Sequence, residues 1–252
     1  MNRLEVVAVT HRGLVREHNE DTVAVTGFLS TAREGEPTRF PVATARPVTC
    51  VVADGLGGHA EGQRASRVTA SVIADAGPGL HDDDAVVRVV EAAHAAVEAE
   101  ASWCSRWSGM ATTVVLLTVA GTQATCANVG DSRCYLYRDG VLVQLSLDDS
   151  PLPVGATPPV GRTTVVTRTV GGYTGAAPAR PHIHRTTVEA GDRFLLCSDG
   201  LTDLVPADLI EDRLKTEPDG VEAVRALLRA ALDAGGDDNV SMLLVTIPER
   251  VA

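Results

Sequence analysis

The sequence is poor in aromatic residues and in positive charge. Only 3% of its 252 residues are Phe, Trp or Tyr, so aliphatic side chains must fill any core. Its 22 Lys and Arg are outnumbered by 33 Asp and Glu, which leaves a net charge of −11. Such a balance argues against nucleic acid or an anionic membrane surface as a partner. The chain also lacks a Pro/Ser-rich or charged linker, and we expect one domain over residues 1–252.

Paired cysteines and long apolar runs are missing as well. No C-x-x-C pair occurs among the five cysteines, which are Cys50, Cys104, Cys126, Cys134 and Cys197. Their number is odd, and four lie in or beside apolar runs, which favours reduced core residues. The N-terminal segment has no continuous apolar region of the kind found in signal peptides, and the apolar stretch around 114–120 is too short to cross a bilayer. These absences predict a cytoplasmic protein without a membrane span.

The order of apolar runs and turns indicates the fold class. Strands are predicted over 4–10, 21–27 and 48–54, with a polar loop over 30–46 that contains Pro37 and Pro41. Four further runs between 112 and 146 form hairpin-linked strands, and Asp139-Gly140 is a hairpin signal. Helix pairs are predicted at 62–74 with 83–103, where Asp82 to Asp84 offer an N-cap, and at 206–214 with 220–234. Strands are also predicted over 163–170, 182–188, the run RFLLCSD and the run VSMLLVTI. This order is not the alternation of a parallel α/β fold; it predicts an α+β, four-layer α-β-β-α sandwich with about ten strands.

Three aspartates stand where an apolar run meets a turn. Asp54 ends VTCVVAD, Asp199 ends RFLLCSD, and Asp238 precedes VSMLLV. Convergent carboxylates repel one another, and a divalent cation removes that conflict. Ligand sets made only of oxygen favour Mg²⁺ or Mn²⁺ over Zn²⁺. The three acids therefore predict a metal site, with Asp237 as the competing choice for Asp238.

Six motifs, taken in order, resemble those of the metal-dependent protein phosphatases, the protein phosphatase 2C family in its compact bacterial form. They are GLVREHNED (13–21), VVADGLGGHAEG (51–62), GMATTVV (109–115), ANVGDSRCYLY (127–137), LLCSDGLTD (195–203) and GGDDNVSMLLV (235–245). The resemblance implies two central antiparallel sheets flanked by helices, in agreement with the layering above. It also implies two Mn²⁺ or Mg²⁺ ions that bind a bridging water, which attacks phosphorus.

The resemblance assigns roles to individual residues. Asp54 bridges the two ions, the Gly55 carbonyl binds one of them, and Asp199 and Asp238 complete the shell of the first. One or both of Glu20 and Asp21 hold metal-bound waters, while Asp131 in the turn NVGDSR binds a third, weaker ion. Arg16 holds the phosphate, because its guanidinium presents two parallel donors. Asn239 is expected to fix the turn beside Asp238, and Thr112 and Thr113 to pack behind the site.

The sequence departs from the family at three places. Some relatives carry a general-acid His two places after the first Asp, but this chain has Leu56 there; His59 is a candidate acid, and no acid is assigned. Asp149 stands where the family has His. The flap segment near 150–170 is shortened and rich in Pro and Gly, which bears on substrate selection and not on the metal site.

These observations predict a cytoplasmic signalling enzyme, a serine/threonine phosphatase whose catalytic residues are Arg16, Asp54 and Asp199. Its substrates are phosphoserine and phosphothreonine proteins, and a cognate Ser/Thr kinase and a monomeric state are expected. One alternative is a catalytically weak relative that binds a partner or regulates through the same fold. Another is a dinuclear hydrolase of nucleotides or diesters, although such sites usually contain several His that are missing here.

Overall fold

Strands and helices fill most of the chain. The computed structural model describes residues 3–32, 34–56, 60–150, 165–172 and 180–248. The strands in these ranges are β1 (Arg3–His11), β2 (Thr22–Val25), β3 (Phe28–Ser30), β4 (Thr38–Ala43), β5 (Val48–Ala53), β6 (Gly55–Leu56), β7 (Ala111–Thr112), β8 (Val114–Ala120), β9 (Gln123–Val129), β10 (Arg133–Arg138), β11 (Val141–Gln144), β12 (Val170–Gly171), β13 (His182–Thr187), β14 (Arg193–Cys197) and β15 (Val240–Thr246). The helices are α1 (Ala60–Ala76), α2 (Asp83–Ala101), α3 (Asp199–Thr202), α4 (Ala207–Thr216) and α5 (Gly220–Asp233).

The strands form two large sheets and one small one. The first sheet has the order β11-β10-β14-β15-β1-β4, and the second has the order β13-β9-β8-β5-β2-β3. A three-stranded sheet, β12-β7-β6, lies beside them. Every pairing between the named strands is antiparallel. Antiparallel sheets of this kind pack one face on a core, which suits a layered sandwich.

Three apolar clusters show how the layers stack. One lies between the two large sheets and includes Val6, Val52 and Phe194. A second joins α1 and α2 to the second sheet, and a third joins α4 and α5 to the first sheet. The order is therefore helix–sheet–sheet–helix, the predicted α-β-β-α arrangement. Aliphatic residues dominate these clusters, as the shortage of aromatics requires.

Local signals in the sequence explain where elements begin and end. Asp82 caps α2 by accepting a 2.7 Å hydrogen bond from Ala85 N, as its position before the helix predicted. Asp139 and Gly140 both have positive φ, at 52° and 84°, which suits a tight hairpin turn between β10 and β11. All five cysteines are free, and all but Cys104 are buried, in agreement with their reading as reduced core residues.

Some predictions of local structure were wrong. The segment 30–46 is not a loop, because β4 pairs with β1 there. Pro41 lies within β4, an edge strand of the first sheet, where a missing N–H is tolerated. The short helix α3 was not foreseen, and the described ranges hold more strands than the ten expected. Of the strand predicted over 163–170, residues 163 and 164 lie outside the described ranges, and only Val170 of the remainder is in a strand. No helix of the described ranges is long and apolar enough to cross a membrane.

Candidate metal centre

The strand register brings the predicted acids to one end of the two sheets. In the second sheet Ala53 pairs with Thr22, so Asp54 and Asp21 leave their strands side by side. In the first sheet Cys197 pairs with both Met242 and Arg133. Asp199, Asp238 and Asp131 therefore lie close to the matching ends of β14, β15 and β10. The acids are widely spaced in sequence, and the antiparallel order of the sheets places them together.

Burial and mutual repulsion raise the pKa values of these carboxyl groups. Burial, together with the charges of Asp21 and Asp199, raises the pKa of Asp54 well above its ordinary value. Burial is also the largest cause that raises the pKa of Asp199, and the charge of Asp238 adds to it. The neighbouring Asp54 side chain offsets part of this rise. The site thus holds more negative charge than it can stabilise without a cation.

Several carboxylate oxygens at this end of the sheets have no partner. Within the described part of the chain, Oδ1 of Asp21, Oδ1 of Asp199 and both oxygens of Asp131 are buried without a hydrogen bond. Leaving a buried charged group unpaired costs free energy, unless a cation takes the open position. An exclusively oxygen donor set matches Mg²⁺ or Mn²⁺. The residues present therefore fit the predicted ions in chemistry and in charge.

The described acids do not form a complete coordination site for an ion. No group of three or more His, Cys, Asp or Glu among the described residues is already placed to hold an ion. Asp238 is drawn towards Arg16, whose Nη2 lies 2.6 Å from its Oδ2. Asp54 and Asp199 lie close enough to perturb each other's pKa. We expect these contacts to open when an ion binds, and the metal roles of the predicted ligands stay predictions.

Gly55 occupies a position that no other residue could fill. A Cβ there would lie 2.2 Å from the carbonyl oxygen of Gly62 and 2.7 Å from that of Glu20. A Cβ on Gly62 would in turn meet Glu20 Oε2 at 2.0 Å. The two glycines let the end of β5, the start of α1 and the Glu20 segment come within contact distance. This close approach is what the predicted role of the Gly55 carbonyl requires.

Thr112 and Thr113 do more than pack behind the site. Thr112 Oγ1 and Thr113 N donate hydrogen bonds of 2.7 and 2.8 Å to the carbonyl oxygen of Asp54. Thr113 Oγ1 also lies 2.7 Å from Ser132 Oγ, next to Asp131. The prediction that they are not ligands stands untested, but their hydrogen bonds to the Asp54 backbone were missed. The motif GMATT identified the two threonines in the sequence. Their hydrogen-bond partner, the Asp54 carbonyl, becomes evident only from the pairing of the strands.

Asn239 fixes the loop that carries Arg16, whereas the prediction was that it fixes the turn beside Asp238. Its side chain accepts a 2.7 Å hydrogen bond from Glu20 N and donates 2.9 Å bonds to the carbonyls of Arg12 and His18. Asp21 is tied to the same region, because its Oδ2 accepts from Ser198 Oγ at 2.8 Å. Asp237, the competing choice for the metal acid, is exposed. The arrangement favours Asp238 in that comparison.

Sequence reasoning missed one acid, Asp203. Burial, with the charge of Asp199 as the second cause, raises the pKa of Asp203 to about 7. Asp203 also adds to the causes that raise the pKa of Asp131, which shows that it faces the same cluster. The signal was in the motif SDGLTD, where Asp203 follows Asp199 by four residues and so shares its helix face. It is a further candidate ligand next to Asp131.

The remaining residues singled out in the sequence are not among the carboxylates described above. His59, the candidate acid, and residues 151–161 of the flap segment lie outside the described ranges. His182, on β13, contacts Asp149.

Comparisons with known proteins agree with this geometry. A family model for protein phosphatase 2C matches residues 38–244. The serine/threonine phosphatase stp of Listeria monocytogenes is 31% identical over 94% of this chain and 93% of its own length. The serine/threonine protein phosphatase PstP of Mycobacterium tuberculosis is 33% identical over 97% of this chain. This chain spans only 45% of that relative's length.

Solved structures show the same fold. A crystal structure of PstP from Mycobacterium tuberculosis matches with a TM-score of 0.80 and 30% identity, over 98% of this chain and all of that one. The catalytic domain of PstP in complex with 2 manganese ions matches with a TM-score of 0.78 and 30% identity, over 98% of this chain and 100% of that one. The predicted fold class is confirmed by these matches.

Proposed function

This chain belongs to the protein phosphatase 2C family, and from that premise we propose that it is a metal-dependent phosphatase of phosphoserine and phosphothreonine in proteins. The observation that carries the proposal is the set of buried carboxylate oxygens without partners, at the same end of the sheets as Arg16. A cation is needed to balance these oxygens, and a guanidinium beside them suits a phosphate dianion. Relatives that match over nearly all of this chain are named serine/threonine phosphatases.

The residues of this chain would divide the work as follows. Asp54, Gly55, Asp199 and Asp238 would hold the main ions, Glu20 and Asp21 would orient water, and Asp131 with Asp203 would hold a third ion. Bound Mn²⁺ or Mg²⁺ supplies charge that polarises the phosphate and lowers the pKa of water. Arg16 orients the phosphate through parallel donors and excludes other orientations. Asn239 and Thr112 keep the backbone of these residues in place.

The remaining expectations belong to the same proposal. One phosphatase domain covers residues 1–252, and it acts as a cytoplasmic monomer that opposes a Ser/Thr kinase. The acidic surface leaves phosphorylated proteins as the partner class, because net repulsion disfavours nucleic acids. No observation favours the catalytically weak alternative, since every predicted acid is present at the same end of the sheets.

One assay tests the function directly. The chelated protein is given a phosphothreonine peptide, with and without Mn²⁺, and phosphate release is measured. We expect release only with Mn²⁺, and none from an Asp54→Asn variant under the same conditions. A phosphodiester offered in parallel should react far more slowly. Preference for the diester would point to another dinuclear hydrolase, and no release by the folded, Mn²⁺-bound protein would favour a binding module.

A further inference from the structure

Asp149 occupies the place where the resemblance predicts His, and the structure shows what the carboxylate does there. The side chain is 7% exposed. Its Oδ2 accepts a 3.0 Å hydrogen bond from Gly130 N, and Asp149 N donates a 3.0 Å bond to the Gly130 carbonyl. Residue 149 is thus fastened to residue 130 through both its backbone and its side chain. Gly130 immediately precedes Asp131, the candidate ligand of the third ion.

The other carboxylate oxygen of Asp149 is held by two basic side chains. Arg168 Nη1 lies 3.0 Å from Oδ1, and His182 Nε2 lies 2.9 Å from the same atom. Arg168 is itself oriented by a bond from Nη2 to the carbonyl of Arg180. The carbonyl of Asp149 accepts a 2.9 Å bond from Thr167 N. Four chain segments therefore meet at one buried carboxylate.

The turn that carries Asp131 has little freedom of its own. Gly130 has a φ of +100°, and a Cβ there would lie 2.7 Å from the Thr113 side chain. Asn128 adds a second tie, since its Nδ2 donates to the carbonyls of Gly130 and Leu147 at 3.1 and 2.8 Å. Both oxygens of Asp131 lack partners among the described residues, so nothing at the carboxylate end fixes its direction. Its direction depends on the backbone of the turn.

We propose that Asp149 is a positioning residue for Asp131, and that Arg168 and His182 hold Asp149 in that role. The inference rests on the proposed function only for the metal role of Asp131. An amide cannot replace the carboxylate, because Asn offers one acceptor oxygen where Gly130 N, Arg168 and His182 need two. Its NH₂ would face a donor in either orientation. Asp149→Asn would thus lose either the bond from Gly130 N or the contacts with Arg168 and His182, and would loosen the link between the Asp131 turn and these two residues.

The test is a Mn²⁺ titration of the full, chelated chain by calorimetry, with no substrate present. Asp149→Asn should raise the Mn²⁺ concentration that half-saturates the weaker site about 10-fold or more, as changes in residues that orient metal ligands do. The tight sites should keep their affinity. Turnover at very high Mn²⁺ should recover in Asp149→Asn but not in Asp131→Ala, because only the latter has lost the ligand.

Asp192→Asn is the matched control. Asp192 is also buried, and it accepts bonds from Arg138 and from Glu189 N, but it lies at the opposite end of β14 from the acids. It should lower the melting temperature without moving the Mn²⁺ isotherm. An isotherm of Asp149→Asn that matches wild type would overturn the proposal, as would an equal shift in Asp192→Asn. The proposal also requires that the wild-type isotherm contain a weaker Mn²⁺ phase and that Asp131→Ala remove this phase. A wild-type isotherm without such a phase would overturn the proposal as well.

His182→Ala covers the case in which Asp149→Asn does not fold. It leaves both bonds between Asp149 and Gly130 intact and removes the ring nitrogen that contacts both Oδ1 of Asp149 and Nη1 of Arg168. A smaller weakening of the same Mn²⁺ phase supports the proposal, and an unchanged isotherm overturns it. Absence of phosphatase activity in all variants and in wild type would contradict the proposed function alone, because the heats are measured without substrate.

Discussion

Arg16 Nη2 lies 2.6 Å from Oδ2 of Asp238, although the two residues are 222 positions apart in the sequence. The predicted phosphate ligand is thus already paired with a predicted metal ligand. An ion on Asp238 would compete for the carboxylate and free the guanidinium for the substrate. We therefore expect metal binding and phosphate binding to be coupled through this pair.

Arg16→Ala should weaken phosphate binding more than metal binding. We expect KM for a phosphopeptide to rise about 10- to 100-fold, the factor that matches about 1.5–3 kcal/mol for a hydrogen bond to a charged group. Arg16→Lys should not restore it, since Lys lacks the parallel donors. Arg225→Ala, which removes an Arg paired with Glu222 on the surface of α5, is the control. If Arg16→Ala leaves the kinetics with both small and peptide substrates unaltered, Arg16 is a surface residue with no role in phosphate binding.

Asp54→Asn and Asp199→Asn should abolish turnover and leave the fold intact. Each removes one of the carboxylates that raise one another's pKa, so the chelated variants should melt at or above the wild-type temperature. Activity is measured as phosphate release at saturating Mn²⁺. Asp237→Asn, an exposed neighbour of Asp238, should retain wild-type rates. Retention of more than about a tenth of the rate in Asp54→Asn, a loss under about 1.4 kcal/mol, would contradict its role.

The chelated protein should lose stability as the pH rises. Burial raises the pKa of Asp203 from 3.8 to about 7, and the pKa values of Asp21, Asp54 and Asp199 move in the same direction. Between the ordinary pKa of 3.8 and the raised pKa, the folded state binds more protons than the unfolded state. The stability that these groups contribute is therefore present at low pH and is lost as the pH rises towards 7. Melting temperatures after chelation should fall from pH 5 to pH 8.

Mn²⁺ should oppose this fall in melting temperature, because the ion replaces the protons. Asp54→Asn should flatten the pH dependence of the chelated protein by removing one of the shifted groups. A melting temperature of the chelated wild type that is constant or rises with pH would show that the acids are not under mutual repulsion.

Asp131→Ala should separate a third ion from the tight pair. Both oxygens of Asp131 are buried and without partners among the described residues, so their replacement leaves the other acids in place. We expect two tight Mn²⁺ sites to survive in calorimetry while turnover slows and loses its dependence on high Mn²⁺. Asp203→Asn should give a similar but weaker effect. Loss of a tight site in Asp131→Ala would place Asp131 in the main pair instead.

Much of the fold could be predicted because its signals are local. The apolar spacing within 83–103 and the cap at Asp82 predicted α2. The pair Asp139-Gly140 predicted the hairpin between β10 and β11. Pro41 misled the prediction of a loop over 30–46, because a proline is tolerated in an edge strand and the sequence does not show which strand is at the edge.

The site was predicted in its residue types but not in its contacts. Strand ends and the family motifs gave Asp54, Asp199 and Asp238. The hydrogen bonds of Thr112 to the Asp54 carbonyl, and of Asp149 to Gly130, join segments that no local pattern links. Such contacts depend on sheet order, which periodicity does not encode.

The pairing of β1 with β15 has a consequence for synthesis of the chain. The loop that carries Arg16 and Glu20 is anchored by Asn239, which the ribosome adds more than 200 residues later. A nascent chain that stops before residue 238 lacks both this anchor and Asp238. We therefore expect the loop that carries Arg16 to become ordered only after β15 has been synthesised.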